Sequence, residues 1–368
     1  MGLEHATVHE DAARIALRLP LGDELARLHP GGCFPLIEDP SASSRSIIIG
    51  MFVLRPARRG WTAPLLEDGE PRSMYEVEDW TFNVRGVDGG WLIAGGNPLD
   101  AFRLALQYGL ADAVIVGSNT VSKEGVDHGP YRGYLWQPYG PVRWPQVARA
   151  DPHVLDKILR LRRLWQERGV LSRRPYPAQI VVSQSGEHKM GTADIFDARI
   201  FHDRHPDGSA IEVLVLTSEA GAEKMAARAR GRGLGGRCHD MFVAVSPEGR
   251  PAELDIAAAA QVLRSRHDIR IANHDGGATV LSKFSEAGVL PQMNLTLMRG
   301  RSVYDVLSTT DRLPLNERER FAAEFDQRRQ LFWSGDHKLP AALRPAYVVT
   351  DGGDAAVVTF DARAIRGL

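Results

Sequence analysis

From Trp80 onward, short apolar runs alternate with segments whose apolar residues recur every three or four positions. The runs 111–117, 179–183 and 211–217 are typical of strands that are buried on both faces of a sheet. Segments with helical spacing follow them, as at residues 152–167 and 218–230. This alternation predicts an α/β architecture in which helices cover a mostly parallel sheet.

The two ends of the chain differ from this pattern. We predict that residues 1–75 form an N-terminal extension of unknown role and that residues 76–368 form the main domain. Within the extension, residues 46–54 have the continuous apolar character of a buried strand. Near the C-terminus, two short strand patterns are joined by Asp351-Gly-Gly-Asp354, which predicts an antiparallel hairpin.

The stretch Asn273-His-Asp-Gly-Gly-Ala-Thr-Val-Leu281 lies between a strand pattern and a helix pattern. Two glycines at such a junction let the backbone approach a phosphate, because the helix start offers unpaired N–H groups and the positive end of the helix dipole. The pattern therefore indicates dinucleotide binding at Gly276 and Gly277. A tight strand-to-helix turn without a ligand is the alternative reading of the same spacing.

Composition and charge narrow the classes of function. The 368 residues are 43% hydrophobic and carry a formal net charge of -1, so no overall field favours nucleic acid or an anionic membrane. The two cysteines, Cys33 and Cys238, support neither a disulfide framework nor a cysteine-based zinc site, and we predict no metal site. The sequence has neither a membrane-spanning apolar run nor the apolar core of a signal peptide, so we expect a cytoplasmic protein.

Three blocks, in this order and spacing, resemble the reductase domain of bacterial riboflavin biosynthesis, the RibD C-terminal family. They are the turn Val87-Asp-Gly-Gly90, the run Leu110-Ala-Asp-Ala-Val-Ile-Val-Gly-Ser-Asn-Thr-Val121, and Asp275-Gly-Gly-Ala-Thr279 followed by residues 287–297. The resemblance covers residues from about 80 to 305. It implies a dihydrofolate-reductase-like fold: a three-layer α/β/α mixed sheet, mostly parallel, with a C-terminal antiparallel hairpin.

The resemblance also implies an NADPH-dependent oxidoreductase, in which the cofactor carries the hydride while the protein positions it and supplies or gates a proton. The family's cofactor-binding positions fall on Val84, Ala94, Gly117, Ser118, Thr120, Ser183, Gln184, Ser185, Gly276, Gly277, Ala278 and Thr279. Hydroxyls and amides at residues 183–185 suit hydrogen bonding to a 2′-phosphate. For Ser183 and Thr120, ordinary turn capping is the alternative.

The substrate positions depart from the family pattern. The acidic contact before the glycines is Asp275, but the arginine on the family's first helix falls on Tyr108, and the arginine-containing run after Thr-Val is replaced by residues 124–131. Because guanidinium groups match phosphates bidentately, their loss argues against the usual phosphoribosylamino-pyrimidine substrate. The predicted substrate-binding residues are Asp275, Tyr108, His128, Tyr131 and Arg132.

Three carboxyl groups, Asp275, Asp88 and Glu124, are the candidate catalytic residues, since a carboxyl walled in by apolar surface has a raised pKa and can act as an acid. Asp88 has the alternative role of a turn residue that bonds its own backbone. His274 either donates a proton or points away along its strand. The aromatic loop over residues 131–144 either stacks on a planar heterocycle or belongs to the core or a dimer interface.

Three hypotheses for the function follow. The first is an NADPH-dependent reductase of a small nitrogen heterocycle or a related imine or ribosylamine-type substrate, in riboflavin-like or specialised metabolism, with a homodimer implied by the resemblance. The second is a non-catalytic NADP-binding or scaffold protein. The third is a metal enzyme using His202, Asp203 and His205, for which a solvated loop is the alternative reading. We expect no deaminase half of the bifunctional riboflavin enzyme in these residues, because two distant cysteines cannot supply its zinc site.

Overall fold

The computed structural model describes residues 7–8, 43–56, 75–77, 107–124, 154–187, 193–205, 207–275, 278–298, 344–350 and 355–361. Within these residues eleven strands form one sheet. The strands are β1 (Thr7–Val8), β2 (Ile47–Pro56), β3 (Tyr75–Val77), β4 (Ala113–Gly117), β5 (Ala178–Val182), β6 (Val213–Thr217), β7 (Phe242–Ala244), β8 (Ile271–His274), β9 (Gln292–Met298), β10 (Arg344–Thr350) and β11 (Ala355–Asp361). The α-helices are α1 (Ser118–Glu124), α2 (Val154–Glu167), α3 (Glu219–Gly231), α4 (Cys238–Met241), α5 (Ile256–His267) and α6 (Ala278–Glu286).

Seven neighbouring strands of the sheet run parallel, in the spatial order β9-β2-β8-β4-β5-β6-β7. Ile115 on β4, for example, pairs with His274 on β8 and with Ile180 on β5. Beyond β9, the strands β11, β10 and β1 continue the sheet in antiparallel pairs, and β3 pairs antiparallel with the end of β2. The predicted mixed sheet, mostly parallel with a C-terminal antiparallel hairpin, is therefore confirmed.

Strand β2 corrects one part of the predicted domain organisation. The sequence pattern placed this run in an extension over residues 1–75, whereas the structure places it inside the sheet between β8 and β9. Its residues Ile48 and Met51 are buried, and Ile49 pairs with Asn273 on β8 and with Gln292 on β9. Parallel strands that are neighbours in a sheet can lie far apart in sequence, so the local hydrophobic pattern does not show which strands pair. This strand is thus part of the main sheet, and the boundary at residue 75 does not separate it from residues 76–368.

Side chains that alternate along the strands build a hydrophobic layer on each face of the sheet. Ile115 and Ile180 pack in one layer with residues of α5 and α6, including Phe284. Val181 packs in the other layer with Phe196, which lies in a short 3-10 helix, and with residues of α3. Successive strand residues point to opposite faces, so one run of apolar residues supplies both layers. The predicted three-layer α/β/α arrangement is confirmed.

A buried carboxylate ties together the amino ends of β4 and β8. Asp112 has no exposed surface, and its two oxygens accept hydrogen bonds from Ser172 N–H and Oγ at 2.8 and 2.7 Å, from Arg270 N–H at 2.9 Å and from Ile271 N–H at 3.2 Å. Each of these donors is thereby satisfied at a place that water does not reach. The network fixes the edge of the sheet opposite to the carboxyl ends of the parallel strands.

At the carboxyl ends, the chain leaves β4 and β8 in opposite directions. Helix α6 follows β8 and contributes Leu281 to one hydrophobic layer, on the way to β9. Helix α1 follows β4 and contributes Val121 to the other layer, and the chain then continues to β5 on the far side of β4. Two adjacent strands with diverging connections mark the position at which open α/β sheets bind ligands, outside the carboxyl ends of the strands. We call this place the β4/β8 crevice.

Candidate functional site

The junction between β8 and α6 forms one wall of the β4/β8 crevice. Strand β8 ends at His274, and the backbone N–H of the next residue, Asp275, donates to Ile115 O at 2.9 Å, which ties the junction to β4. Asp275 is half-buried, and α6 begins three residues later at Ala278, with Thr279 beside it in the first turn. The predicted acidic site residue therefore lies at the crevice.

The end of β4 forms the opposite wall. Gly117 is buried, and a Cβ on it would lie 3.4 Å from Val280 Cγ2, so this glycine stands directly against the first turns of α6. Ser118 and Thr120 follow in α1 and are half-buried. Three of the predicted cofactor residues are thus placed at the same edge as Asp275.

Glu124, a candidate catalytic carboxyl, lies at the other end of α1. It follows Ser118 by six residues, which is about 9 Å along a helix axis. Its catalytic role stays a prediction, and of the described candidate carboxyls Asp275 is the one that stands at the crevice itself.

The third group of predicted cofactor residues lies in the loop after β5, residues 183–186, which we call the β5 loop. Ser183 is buried, and its N–H donates to Leu216 O at 2.9 Å. Gln184 is half-buried, and its carbonyl oxygen accepts a hydrogen bond from Ser218 Oγ at 2.9 Å. Ser185 is exposed. The β5 loop therefore presents one exposed hydroxyl and one amide side chain beside a backbone that is held to the start of α3.

Two glycines hold the β5 loop against α3. Gly186 is buried and has a φ of 63°, a left-handed conformation that favours glycine. A Cβ on Gly186 would overlap the carbonyl oxygen of Gly221 and would lie 2.8 Å from its Cα. Arg228, which also lies on α3, donates to Gly186 O at 2.8 Å. The close approach of these two backbones fixes where the side chains of the β5 loop can lie.

A side chain from α6 reaches the β5 loop. The Lys283 ammonium donates a hydrogen bond to Gln184 Oε1. Since β4 lies between β8 and β5, this contact joins the helix after β8 to the loop after β5 across the end of β4. Lys283 is not among the site residues predicted from the sequence. The signal that was available is a basic residue four positions after the end of the matched Asp275–Thr279 block.

His274 is fully buried beneath α6, and its ring centroid lies 5.1 Å from that of Phe284 in an edge-to-face arrangement. Burial lowers the pKa of His274 to about 3, because an apolar environment disfavours the charged imidazolium. The imidazole is therefore neutral at neutral pH. Of the two alternatives for His274, the structure favours a side chain that points away from the crevice over a proton donor.

The remaining predicted site residues divide into two groups. Tyr108 has no exposed surface, so a contact with substrate would require its surroundings to open, and its role stays a prediction. The others lie outside the described residues: Val84, Asp88, Ala94, His128, Tyr131, Arg132, Gly276 and Gly277.

A pair of buried amides next to Tyr108 was also missed. The Asn273 amide nitrogen donates to the carbonyl oxygen of Gln107, and both side chains are buried. Among the described residues, the two side-chain polar atoms of Gln107 and Asn273 Oδ1 have no hydrogen-bond partner. Buried polar atoms in native proteins are usually paired with protein or ordered water. We therefore expect that a substitution or a bound water molecule at this pair of amides changes the stability of the fold measurably.

The residues of the hypothetical metal site have separate contacts. His202 Nε2 lies 2.7 Å from Phe196 O, Asp203 pairs with Arg199 at 3.3 Å, and the His205 ring stacks on Tyr176 with centroids 4.0 Å apart. Within the described residues, no three His, Cys, Asp or Glu side chains are grouped so that they could hold a metal ion. The run therefore does not form a ligand set. Likewise, no helix in the described part of the chain has the length and apolarity needed to cross a membrane.

Comparison with known proteins gives matches among solved structures alone. No protein-family model and no curated protein matches the sequence. The chain is similar to a pyrimidine reductase-like protein from Corynebacterium diphtheriae, with 14% identity and a TM-score of 0.43 over 86% of this chain and 91% of that one. It is also similar to the riboflavin biosynthesis reductase of Saccharomyces cerevisiae, with 9% identity and a TM-score of 0.39 over 93% and 96% of the two chains.

A third similar structure is a diaminohydroxyphosphoribosylaminopyrimidine deaminase and 5-amino-6-(5-phosphoribosylamino)uracil reductase from Thermotoga maritima. It is 14% identical with a TM-score of 0.33, and the match covers 86% of this chain and 56% of that one. The match thus leaves almost half of the two-activity protein uncovered. At these identities and TM-scores, the function has to be inferred from the chain's own residues.

Proposed function

We propose that this chain is an NADPH-dependent oxidoreductase that reduces a small nitrogen heterocycle or a related imine or ribosylamine-type substrate, in riboflavin-like or specialised metabolism. The observation that carries the proposal is the β4/β8 crevice, where the residues that resemble the family's cofactor block meet the residue that resembles its acidic substrate contact. Gly117 and Ser118 stand on one side of this crevice and Asp275 on the other. A ligand at this place would touch both.

The described residues fit a dinucleotide in their chemistry. Helix α6 has nine residues and begins at the crevice, so its unpaired N–H groups and positive dipole end suit a diphosphate. Gly117 carries no side chain at the point where β4 meets α6. The β5 loop adds the Ser185 hydroxyl and the Gln184 amide, groups that hydrogen-bond a nucleotide. When bound, the cofactor supplies the hydride.

Asp275 is the residue to which we assign contact with the substrate. A carboxylate accepts hydrogen bonds from ring N–H and amino groups, and in its protonated form it donates a proton. Reduction of a C=N bond adds a hydride to carbon and a proton to nitrogen, so the site needs a proton donor near the nitrogen. The half-buried position of Asp275 at the crevice suits both roles.

Two measurements test the proposal. Calorimetry or nicotinamide fluorescence measures NADPH binding, and the absorbance of NADPH measures its oxidation in the presence of pterins, pyrimidines and cyclic imines. We expect binding well below the millimolar range and oxidation with at least one substrate. Asp275→Asn should keep NADPH affinity within about threefold and lower kcat by roughly 10²- to 10⁴-fold. Asp240→Asn, at an exposed aspartate on α4, is the matched control and should change neither value.

The outcomes separate the hypotheses. No NADPH affinity below the millimolar range would end the reductase assignment. NADPH binding with no oxidation across the whole panel would favour the second candidate, an NADP-binding or scaffold protein without turnover. We also propose a homodimer, which the sequence resemblance supports, and a cytoplasmic location, which suits a chain with two cysteines far apart in sequence. Light scattering on the purified protein tests the dimer, because a monomeric mass at micromolar concentration would contradict it.

A further inference from the structure

The contact between Lys283 and the β5 loop suggests how this chain would choose between the two nicotinamide cofactors. We propose that Lys283, together with Gln184 and Ser185, binds the 2′-phosphate that distinguishes NADPH from NADH. This inference rests on the proposed function, since it assumes that a nicotinamide dinucleotide lies in the β4/β8 crevice. It adds a residue, Lys283, that the sequence resemblance does not assign.

Lys283 stands between the start of α6 and the β5 loop. Lys283 follows Ala278, the first residue of α6, by five residues, which is about 7.5 Å along the helix axis. Its ammonium group meets Gln184 in the β5 loop, on the side of α6 that faces away from β9 and toward β5. A dinucleotide whose diphosphate lies at the start of α6 and whose adenosine half extends toward the β5 loop would bring its 2′ position to this contact.

The charge of Lys283 is not offset by a carboxylate among the described residues. Two other basic side chains that the structure describes around the β5 loop have carboxylate partners: Lys224 pairs with Glu187 at 3.2 Å, and Arg228 pairs with Asp194 at 2.9 Å. Lys283 differs, because its partner within the described residues is the neutral amide of Gln184. A lysine with a neutral partner keeps its full attraction for an incoming phosphate, and hydrogen bonds between ammonium and phosphate are among the stronger polar contacts in proteins.

The β5 loop is held in place before any ligand binds. The backbone of the β5 loop is held by the close approach of Gly186 to Gly221 and by the hydrogen bond from Arg228 to Gly186 O at 2.8 Å. The Ser185 hydroxyl is exposed next to this fixed backbone. A binding loop that is already ordered loses little conformational freedom when the ligand arrives, so more of the phosphate interaction remains as affinity.

Binding measurements on Lys283→Gln test this inference. Calorimetry compares NADPH with NADH, and 2′,5′-ADP with 5′-ADP, on the full chain. We expect Lys283→Gln to weaken NADPH and 2′,5′-ADP by roughly 10- to 100-fold, the range for a hydrogen bond to a charged group. NADH and 5′-ADP should stay within about twofold, because neither carries the 2′-phosphate. Lys283→Arg keeps the charge and should keep most of the preference for NADPH.

Two further variants sharpen the test. Gln184→Glu gives Lys283 a carboxylate partner at the same place, so it should lower the preference for NADPH in the same direction as Lys283→Gln. Lys224→Gln is the matched control, because it removes the same charge from an exposed lysine whose carboxylate partner, Glu187, already offsets it. It should leave the ratio of NADPH to NADH affinity unchanged. Thermal melting curves check that each variant is folded.

The results distinguish failure of this inference from failure of the proposed function. If Lys283→Gln changes NADPH and NADH affinity equally, or changes neither, Lys283 does not read the 2′-phosphate, while the reductase assignment stands. If the unmodified chain binds neither nucleotide, the proposed function is wrong and this inference falls with it. The role of Lys283 in binding the 2′-phosphate is established if Lys283→Gln and Gln184→Glu both reduce the preference for NADPH. Lys224→Gln must leave that preference unchanged.

Discussion

Replacement of Gly186 by alanine is the perturbation that most directly connects the packing of the β5 loop to its function. Two separate costs arise at this position. The φ of 63° is left-handed, which costs an L-residue roughly 1–2 kcal/mol. In addition, the new Cβ would overlap the carbonyl oxygen of Gly221 and lie 2.8 Å from its Cα, and backbone atoms cannot rotate away as a long side chain can. Overpacking of this kind costs roughly another 1–3 kcal/mol.

Gly208 provides a matched control for the backbone strain alone. Its φ is 83°, also left-handed, but a Cβ at this position would meet no atom of the described residues within 4 Å. Gly208→Ala should therefore lower the free energy of unfolding by roughly 1–2 kcal/mol, and Gly186→Ala by roughly 2–5 kcal/mol. Urea denaturation of the two variants and the unmodified chain measures the difference. That difference isolates the contact between the two backbones.

The same pair of variants tests the functional role of the β5 loop. If the loop moves to relieve the overlap, Ser185 and Gln184 move with it, so NADPH affinity should fall more than NADH affinity in Gly186→Ala. Gly208→Ala lies away from the β4/β8 crevice and should bind both nucleotides as the unmodified chain does. Equal stability losses in the two variants would refute the reasoning, because they would mean that the Gly186 and Gly221 backbones do not limit each other.

Three other predictions concern buried polar groups. Asp112→Asn turns one acceptor oxygen into an N–H donor that faces two other donor groups. Urea denaturation should therefore show that the free energy of unfolding falls by roughly 2–5 kcal/mol. A fall below about 1 kcal/mol would mean that the network rearranges. The folded-state pKa of His274 is lowered to about 3, so the unfolded chain binds more protons between this value and the unfolded pKa of about 6.5. The contribution of neutral His274 to stability is therefore complete above pH 6.5 and is lost as the pH falls toward 3, by up to about 1.4 kcal/mol per pH unit. The free energy of unfolding should depend less on pH in His274→Gln. The same pH dependence in both proteins would contradict the lowered pKa of His274. Gln107→Met removes two buried polar atoms that have no partner in the described part of the chain, so it should raise the melting temperature. A lower melting temperature would indicate that an ordered water or a ligand satisfies this amide.

Much of the local structure was predictable because its signals lie within a few residues of each other. The apolar runs predicted at 111–117, 179–183 and 211–217 are strands β4, β5 and β6. Helices α3 and α5 begin where Ser218 and Asp255 accept hydrogen bonds from backbone N–H groups three residues later, at 3.0 and 2.9 Å. Caps and continuous apolar runs are local features, so they can be identified without knowing which elements pack beside them.

The candidate site was predictable in its residues but not in its arrangement. The sequence motif identified Asp275 and the start of α6, and the resemblance added Gly117 and the β5 loop. Nothing in the local pattern indicated that β4 lies between β8 and β5, and so the bond from Lys283 to Gln184 was missed. The full burial of Tyr108 was missed for the same reason.

The amino-acid sequence by itself determined which segments become strands and helices, and which residue types stand at their ends. The tertiary structure alone decided that β2 is an inner strand, that β4 and β8 are neighbours, and that a lysine of α6 meets the β5 loop. The physical reason is that hydrogen bonds within a helix and the alternation along a strand act over a few residues. Parallel strand pairing instead joins segments that are far apart in the chain, and its partners are chosen by the burial of the whole sheet.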